Sequence, residues 1–223
     1  MSLKNLFFVT LALLFFQEAI SQRRRFEEYN LLGVNGGATF FDIQTDNFTT
    51  EQGTGFFGGF TTRGTVYEAL DLIYQLSFFN NEVGVLGRDP LNPVNEQFLD
   101  YTISAAQLSI LASVNLIRHH LTIELGPTVS VNGKMKLNTS GTENYILDGY
   151  STLRASDIEQ ISKVNFNVLG GVSTGVRNFR LSGHYQYGIT NMFSALNDRD
   201  LENTQGSFSG NSSMFMLSGT IYF

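Results

Sequence analysis

Residues 121–131 read LTIELGPTVSV, and apolar and polar residues alternate along them. The apolar side chains fall at positions 121, 123, 125, 129 and 131, while positions 122, 124, 128 and 130 are polar. This period of two is that of a β-strand, because apolar positions in an amphipathic helix recur every three or four residues. The stretch is therefore predicted to be a strand with one apolar and one polar face.

The same alternation recurs along most of the chain. Two of the stretches, residues 67–79 and 102–116, are also compatible with buried helices, but their alternation favours strands. The eight predicted strands are residues 31–43, 54–63, 66–79, 102–116, 120–131, 163–176, 179–190 and 213–223.

The connections between these strands are alternately short and long. The short ones lie around Gly64, Arg118 and Asn178. The alternation of short turns and long loops, together with an even strand count, is typical of outer-membrane barrels. The apolar faces would also be a liability in water, whereas lipid would solvate them. We therefore predict an all-β protein, an eight-stranded antiparallel up-and-down transmembrane β-barrel. The long connections are residues 44–53, 80–101, 132–162 and 191–212.

The first 21 residues have the features of a cleaved signal peptide. Lys4 precedes an apolar run at residues 6–16, and Ala19-Ile20-Ser21 is a small-x-small cleavage site. The run is too short for a helix that spans a membrane, which needs about 20 residues. Cleavage is predicted between Ser21 and Gln22, so residues 22–223 would form the barrel domain in a Gram-negative outer membrane.

The composition excludes several kinds of function. The chain has no Cys, so neither disulfides nor a Cys-based metal site can form. Its formal net charge of −6 argues against nucleic-acid binding, which needs basic surfaces. No cofactor is predicted.

If the apolar faces point outward, the polar faces must line the interior. The main candidates for a polar network there are Asp71, Glu124, Arg180 and His184. Because buried charges need partners, Arg180 is expected to pair with Glu124 or Asp71. This network is predicted to be structural, and a gated path for ions or protons is the alternative. Further candidates for the interior are Asn35, Gln75, Gln107, Asn165, Asn167 and Gln186.

The sequence does not indicate an enzyme. Ser182 and His184 share a strand face and Glu124 could orient the histidine, but residues two apart on a strand are separated by about 7 Å. They are also expected to point away from lipid. The chain ends in a strand that finishes on Phe223, and this aromatic terminus is predicted to be a signal for the barrel-assembly machinery.

Four short stretches resemble the PorT-like family of outer-membrane β-barrels. They are GVNGG at residues 33–37, GP at 126–127, YQYGITN at 185–191 and the terminal YF at 222–223. The chain departs from that family at residues 101–104, where an expected proline is missing. The resemblance implies an eight-stranded barrel without catalytic residues, in a family with at least one member tied to protein secretion across the outer membrane.

These observations predict a non-enzymatic structural or accessory component of an envelope complex, with a secretion complex as a specific case. A surface-exposed binding or adhesion barrel that acts through its long loops is one alternative, and a narrow channel is another. The expected partners are outer-membrane lipid, the barrel-assembly machinery and other envelope proteins.

Overall fold

The computed structural model describes residues 30–67, 69–117, 120–204 and 206–223. Most of these residues lie in strands, and the connections include the short 3₁₀ helices Ala155–Glu159 and Ser194–Leu196. Within this part of the chain, no helix is long and apolar enough to cross a membrane. The strands are β1 (Asn30–Gln44), β2 (Thr50–Tyr67), β3 (Leu70–Asp89), β4 (Asn92–Ile117), β5 (Leu121–Leu137), β6 (Ile146–Leu147), β7 (Val164–Gly175), β8 (Phe179–Gly188) and β9 (Asn211–Tyr222).

Eight of these strands form a closed antiparallel ring. Each ring strand pairs with the one before and the one after it in the chain, and the ring closes where β1 pairs with β9. The two-residue β6 lies outside the ring and pairs with the end of β3. The predicted eight-stranded up-and-down barrel is therefore confirmed. Because the ring is closed, neighbouring strands satisfy each other's backbone hydrogen bonds.

The alternation in the sequence separates the outer and inner faces of the barrel. On β5, Leu125 points outward and is 58% exposed, whereas Glu124 points inward and is 4% exposed. On β7, Phe166 is exposed and Asn167 is buried. The outward side chains form a belt of Leu, Ile, Val, Phe and Tyr around the ring, which we call the apolar belt. A belt of this kind is suited to lipid and would be unfavourable in water.

Some glycines lie where two strands approach too closely for a side chain. A Cβ atom on Gly59 would lie 2.1 Å from the carbonyl oxygen of Leu76 on the neighbouring strand. A Cβ atom on Gly37 would lie 1.9 Å from the carbonyl oxygen of Leu217. Gly58, next to Gly59, is different, because a Cβ atom there would meet no atom nearer than 3.8 Å. Close strand packing therefore requires glycine at positions 37 and 59.

The predicted long loop at residues 80–101 is wrong. β3 continues to Asp89 and β4 begins at Asn92, so that a tight turn joins the two strands. The inward side chains Val83, Val85 and Leu99 are buried and stabilise this extension. Outward positions here are more polar than in the belt, and the lipid-facing pattern that marks the other strands is therefore missing.

The predicted position of the turn between β2 and β3 is also wrong. The prediction places it around Gly64, but β2 continues to Tyr67 and β3 begins at Leu70. Arg63 consequently lies within the barrel wall and not in a turn. Its side chain points inward and is buried.

At the end of the barrel remote from the carboxy terminus, the connections between strands fold over the barrel opening. We call residues 45–49, 138–163, 189–204 and 206–210 the outer cap, because the long loops of outer-membrane barrels lie outside the cell. The cap buries its own apolar side chains, which extend the core from the barrel interior. These are Phe48, Leu147, Tyr150, Leu153, Ile158, Phe193, Leu196 and Phe208.

Candidate functional site

Charged side chains from four strands come together inside the barrel, at the end near the carboxy terminus. Arg63 comes from β2, Asp71 from β3, Glu124 from β5, and Arg180 and His184 from β8. All five are buried. Each occupies an inward position, so closure of the barrel brings together residues that are far apart in sequence. We call these five residues the lumen charge cluster.

Glu124 lies at the centre of the lumen charge cluster. Its Oε2 atom lies 2.8 Å from Nε2 of His184, and its Oε1 atom lies 3.4 Å from Nη1 of Arg63. Arg63 also donates from Nε to Oδ2 of Asp71 at 2.9 Å. Because isolated buried charges are costly, these contacts compensate much of the loss of hydration.

Hydroxyl groups extend the cluster to Arg180. This residue donates from Nε to Oγ of Ser173 at 2.7 Å and from Nη2 to Oγ1 of Thr122 at 3.1 Å. Thr122 in turn donates to Glu124 at 3.1 Å. The sequence predicts that Arg180 contacts Glu124 or Asp71, and in the structure Thr122 links Arg180 to Glu124.

Arg63 is the member of the cluster that sequence reasoning misses. Gly64 indicates a turn, and an arginine beside a turn is expected to be solvated. In the structure the alternation of β2 includes this position, with Thr61 and Arg63 buried and Thr62 exposed. Because residues 61 and 62 are both threonine, the local sequence gives no signal for it. The other four residues were expected in the interior, and the structure places all four there.

A layer of neutral polar side chains lies above the lumen charge cluster. The amides of Gln107 and Gln186 form a reciprocal pair, with N···O distances of 2.9 and 3.1 Å. Asn167 donates to Thr128 at 3.1 Å in the same layer. The cavities found beside the cluster and beside this layer measure about 20 and 30 Å³. Each has room for one or two water molecules.

The arrangement of Ser182, His184 and Glu124 differs from that of a nucleophilic triad. Glu124 contacts His184, as an orienting carboxylate would. Ser182 lines the same small cavity, but no hydrogen bond joins it to His184 in the described residues. The described ranges also contain no group of three or more His, Asp or Glu residues that could hold a metal ion.

An aromatic cluster holds the outer cap together. The ring centroid of Phe48 lies 5.2 Å from that of Phe193, 5.7 Å from that of Phe208 and 5.8 Å from that of Tyr150. These four residues come from three different connections. Aromatic pairs at such distances add to the energy of apolar burial. The cluster therefore ties the three connections into one unit.

Glu202 joins two connections at the surface of the outer cap. Its carboxylate accepts hydrogen bonds from the hydroxyl of Thr152 at 2.7 Å and from the amide of Ser151 at 3.0 Å. The hydrogen bonds from Thr152 are the main cause of a lowered pKa of Glu202. The charged form of this side chain therefore stabilises the contact between residues 151–152 and the connection that precedes β9.

The remaining predicted residues lie at the chain ends. Phe223 is exposed, and its amide donates to the carbonyl oxygen of Leu32 at 2.8 Å. The carboxy terminus is therefore fixed to β1, and the role of Phe223 in assembly stays a prediction. Ser21 and Gln22 lie outside the described residues, so the signal peptide also stays a prediction.

Several solved structures of outer-membrane proteins resemble this one. Neisserial surface protein A is 12% identical in sequence, with a TM-score of 0.51, and the match covers 86% of this chain and 97% of that protein. The attachment invasion locus protein Ail of Yersinia pestis, in complex with the heparin analogue sucrose octasulfate, is 13% identical, with coverages of 87% and 99% and a TM-score of 0.46. OprG from Pseudomonas aeruginosa is 12% identical, with coverages of 88% and 97% and a TM-score of 0.46. At these identities, the likeness to Neisserial surface protein A concerns the fold alone.

No curated protein matches the sequence. A family model does, and its description is "Outer membrane protein beta-barrel domain". The match extends over residues 17–194, which include most of the barrel and much of the outer cap. The closed eight-stranded ring and its apolar belt agree with this description. The chain therefore belongs to the family of proteins with an outer membrane protein beta-barrel domain.

Proposed function

We propose that this outer-membrane barrel is a non-conducting, non-enzymatic binding protein that engages a ligand outside the cell through its outer surface. The observation that carries the proposal is the buried core of the outer cap. Phe48, Tyr150, Phe193 and Phe208 pack together there, so the connections hold one another in a fixed arrangement. A preorganised surface binds at a lower cost in conformational entropy than mobile loops do.

The hairpin of β3 and β4 adds a second feature to this surface. Its tip carries Leu91 and Val94, which are 93% and 92% exposed. The tip lies at the same end of the barrel as the cap, since Arg88 pairs with Ile146 of β6. Two exposed apolar side chains at the tip of a hairpin are suited to anchor a partner.

The interior argues against the channel alternative. Buried side chains fill it from the lumen charge cluster through the Gln107 and Gln186 pair to the apolar core of the cap. Two cavities along this path measure about 20 and 30 Å³. An eight-stranded ring is just wide enough to be filled in this way.

A role in a secretion complex stays a prediction from the PorT-like resemblance. No contact of the described residues bears on it. The binding proposal is preferred because the geometry of the cap and hairpin gives it a physical basis.

The test compares intact cells that display the wild-type barrel with cells that display a trimmed hairpin. In the trimmed variant, Asn-Gly replaces residues 89–95, so that a two-residue turn joins Arg88 to Glu96. The probes are a panel of immobilised matrix proteins and polysaccharides. We expect wild-type cells to bind at least one probe and the trimmed variant to lose that binding. The control is Arg177→Gln, a charge change at the opposite rim, which should leave binding unchanged.

Two other outcomes would overturn the proposal. Single-channel conductance of the purified barrel in a planar bilayer, lost in Glu124→Gln, would favour the channel. The accessory role would be favoured if wild-type cells bind none of the probes and the barrel purifies in a fixed stoichiometry with other envelope proteins.

A further inference from the structure

The three lysines in the described part of the chain lie close together. Lys134 and Lys136 are on β5, and Lys163 immediately precedes β7. The carbonyl oxygen of Lys163 accepts a hydrogen bond from the amide of Asn132 at 2.8 Å, which fixes the two segments side by side. All three lysines are exposed. We call them the lysine patch.

An irregularity in β5 turns two of these lysines to the outer face. Ala105 of β4 pairs with Asn132, but Ile103 pairs with Met135, so β5 has an extra residue between these two pairs. Met135 points inward and is fully buried. Lys134 and Lys136 flank it and point outward, about 7 Å apart along the strand.

The lysine patch lies at the outer boundary of the apolar belt. Val131 of β5 pairs with Val164 of β7, and these side chains are about half exposed. They are the last belt residues on their strands. Lys163 directly precedes Val164, and Lys134 and Lys136 lie three and five residues beyond Val131. In a bilayer, the end of the apolar belt lies at the level of the lipid headgroups. The ammonium groups are therefore at the depth where lipid phosphates lie.

The lysines of the patch form no ion pair with an acid in the described part of the chain. In the described ranges, no carboxylate oxygen lies within 4.0 Å of any of the three ammonium groups. The nearest outward acids in the strand register are Asp100 and Glu82. Glu82 pairs with Thr102, which pairs with Lys136, so Glu82 is two strands away, roughly 10 Å. Asp100 lies one strand away and further from the belt.

We propose that the lysine patch binds the phosphate groups of a phosphorylated lipid in the outer leaflet, while Val131 and Val164 contact the acyl chains. Lysine is a common binder of phosphate, and it acts as a flexible point charge. Thr102 and Asn138, which hydrogen-bond to each other beside Lys136, add polar groups at the same level. The proposal rests on the membership of the outer-membrane family and not on the ligand-binding role proposed above.

The experiment is native mass spectrometry of the whole barrel in detergent micelles with added lipid. The probes are bis-phosphorylated lipid A and the same lipid with both phosphates removed. The test variant is Lys134→Gln/Lys136→Gln/Lys163→Gln. Exposed side chains without partners contribute little to stability, so this variant should fold. We expect its affinity for lipid A to fall on the order of 100-fold, because three cations near an anionic lipid are lost.

Two further arms separate phosphate recognition from other causes. The variant with arginine at the three positions should retain the affinity for lipid A. Arg177→Gln, in the turn between β7 and β8 at the other end of the barrel, should not change this affinity. Inorganic phosphate at millimolar concentration should not displace the lipid, since it cannot contact Val131 and Val164. Equal binding of lipid A by wild type and the glutamine variant would overturn the proposal. Equal binding of the two lipids by the wild type, or displacement by inorganic phosphate, would overturn it as well.

Discussion

Nε of Arg63 lies 2.9 Å from Oδ2 of Asp71, and both side chains are buried in the barrel interior. Arg63 also lies 3.4 Å from Glu124, so one guanidinium serves two carboxylates. Removal of the cation would leave both carboxylates in a medium of low polarity. The pair is therefore a point where a single substitution should have a large effect.

Arg63→Met is expected to destabilise the barrel by about 3–5 kcal/mol, the usual cost when one partner of a buried ion pair is removed. Arg63→Met/Asp71→Leu should be less destabilised than Arg63→Met, because the second change removes one of the two carboxylates that have lost the guanidinium. Urea unfolding in lipid vesicles, followed by circular dichroism, measures both. Lys134→Met is the control, and its exposed side chain should alter the stability by less than about 0.5 kcal/mol. Equal stability of the wild type and Arg63→Met would contradict the structural role of this pair.

Gly59→Ala should destabilise the barrel, whereas Gly58→Ala should be tolerated. The new Cβ atom at position 59 would lie 2.1 Å from a backbone oxygen of β3, and β2 would have to move. Overpacking of this kind costs about 1–3 kcal/mol. At position 58 the nearest atom would be 3.8 Å away, which is an ordinary contact. The same unfolding measurement compares the two variants, and similar losses in both would show that close packing is not the reason for Gly59.

The barrel can be predicted from the sequence, because lipid favours apolar side chains on the outer face of each strand and the interior favours polar side chains on the inner face. Residues 121–131 and 163–176 contain this alternation in full, and their predicted bounds agree with β5 and β7 to within a few residues, except that β5 continues to Leu137. Local patterns of this kind depend on neighbours in sequence and not on the rest of the fold.

Contacts across the barrel interior cannot be predicted from the sequence. The pairing of Arg63 with Glu124 depends on the stagger between strands that are not adjacent, and no local pattern specifies it. The extension of β3 and β4 past the belt was missed for another reason. Its outward positions include Glu82 and Asp100, so only the inward residues, such as Val83 and Val85, retain the apolar pattern. A stretch in which the outward positions lack apolar residues is a weak signal for a membrane strand.

Phe48→Ala should open the outer cap without unfolding the barrel. Phe48 contacts Tyr150, Phe193 and Phe208, and loss of a buried aromatic side chain costs about 3–5 kcal/mol. Because the ring strands pair independently of these contacts, the loss of stability should be confined to the cap. Protease added to intact cells should cleave the variant faster than the wild type. Phe56→Ala, a change on the lipid-facing side at 66% exposure, should leave the cleavage rate unchanged. A variant that is cleaved no faster would mean that the aromatic cluster does not order the cap.

The contact between Glu202 and residues 151–152 should weaken only in acid. Hydrogen bonds from Thr152 favour the carboxylate and lower the pKa of Glu202 below the usual value of about 4.3. A group with a lowered pKa in the folded state stabilises that state above the usual value, and this contribution is lost as the pH falls through the lowered pKa. The amide proton of Thr152, followed by NMR from pH 7 downward, should therefore titrate with a midpoint below about 4.3. Glu202→Gln should abolish this titration, because the glutamine side chain does not ionise. A midpoint at or above the usual value in the wild type would mean that these hydrogen bonds do not favour the carboxylate.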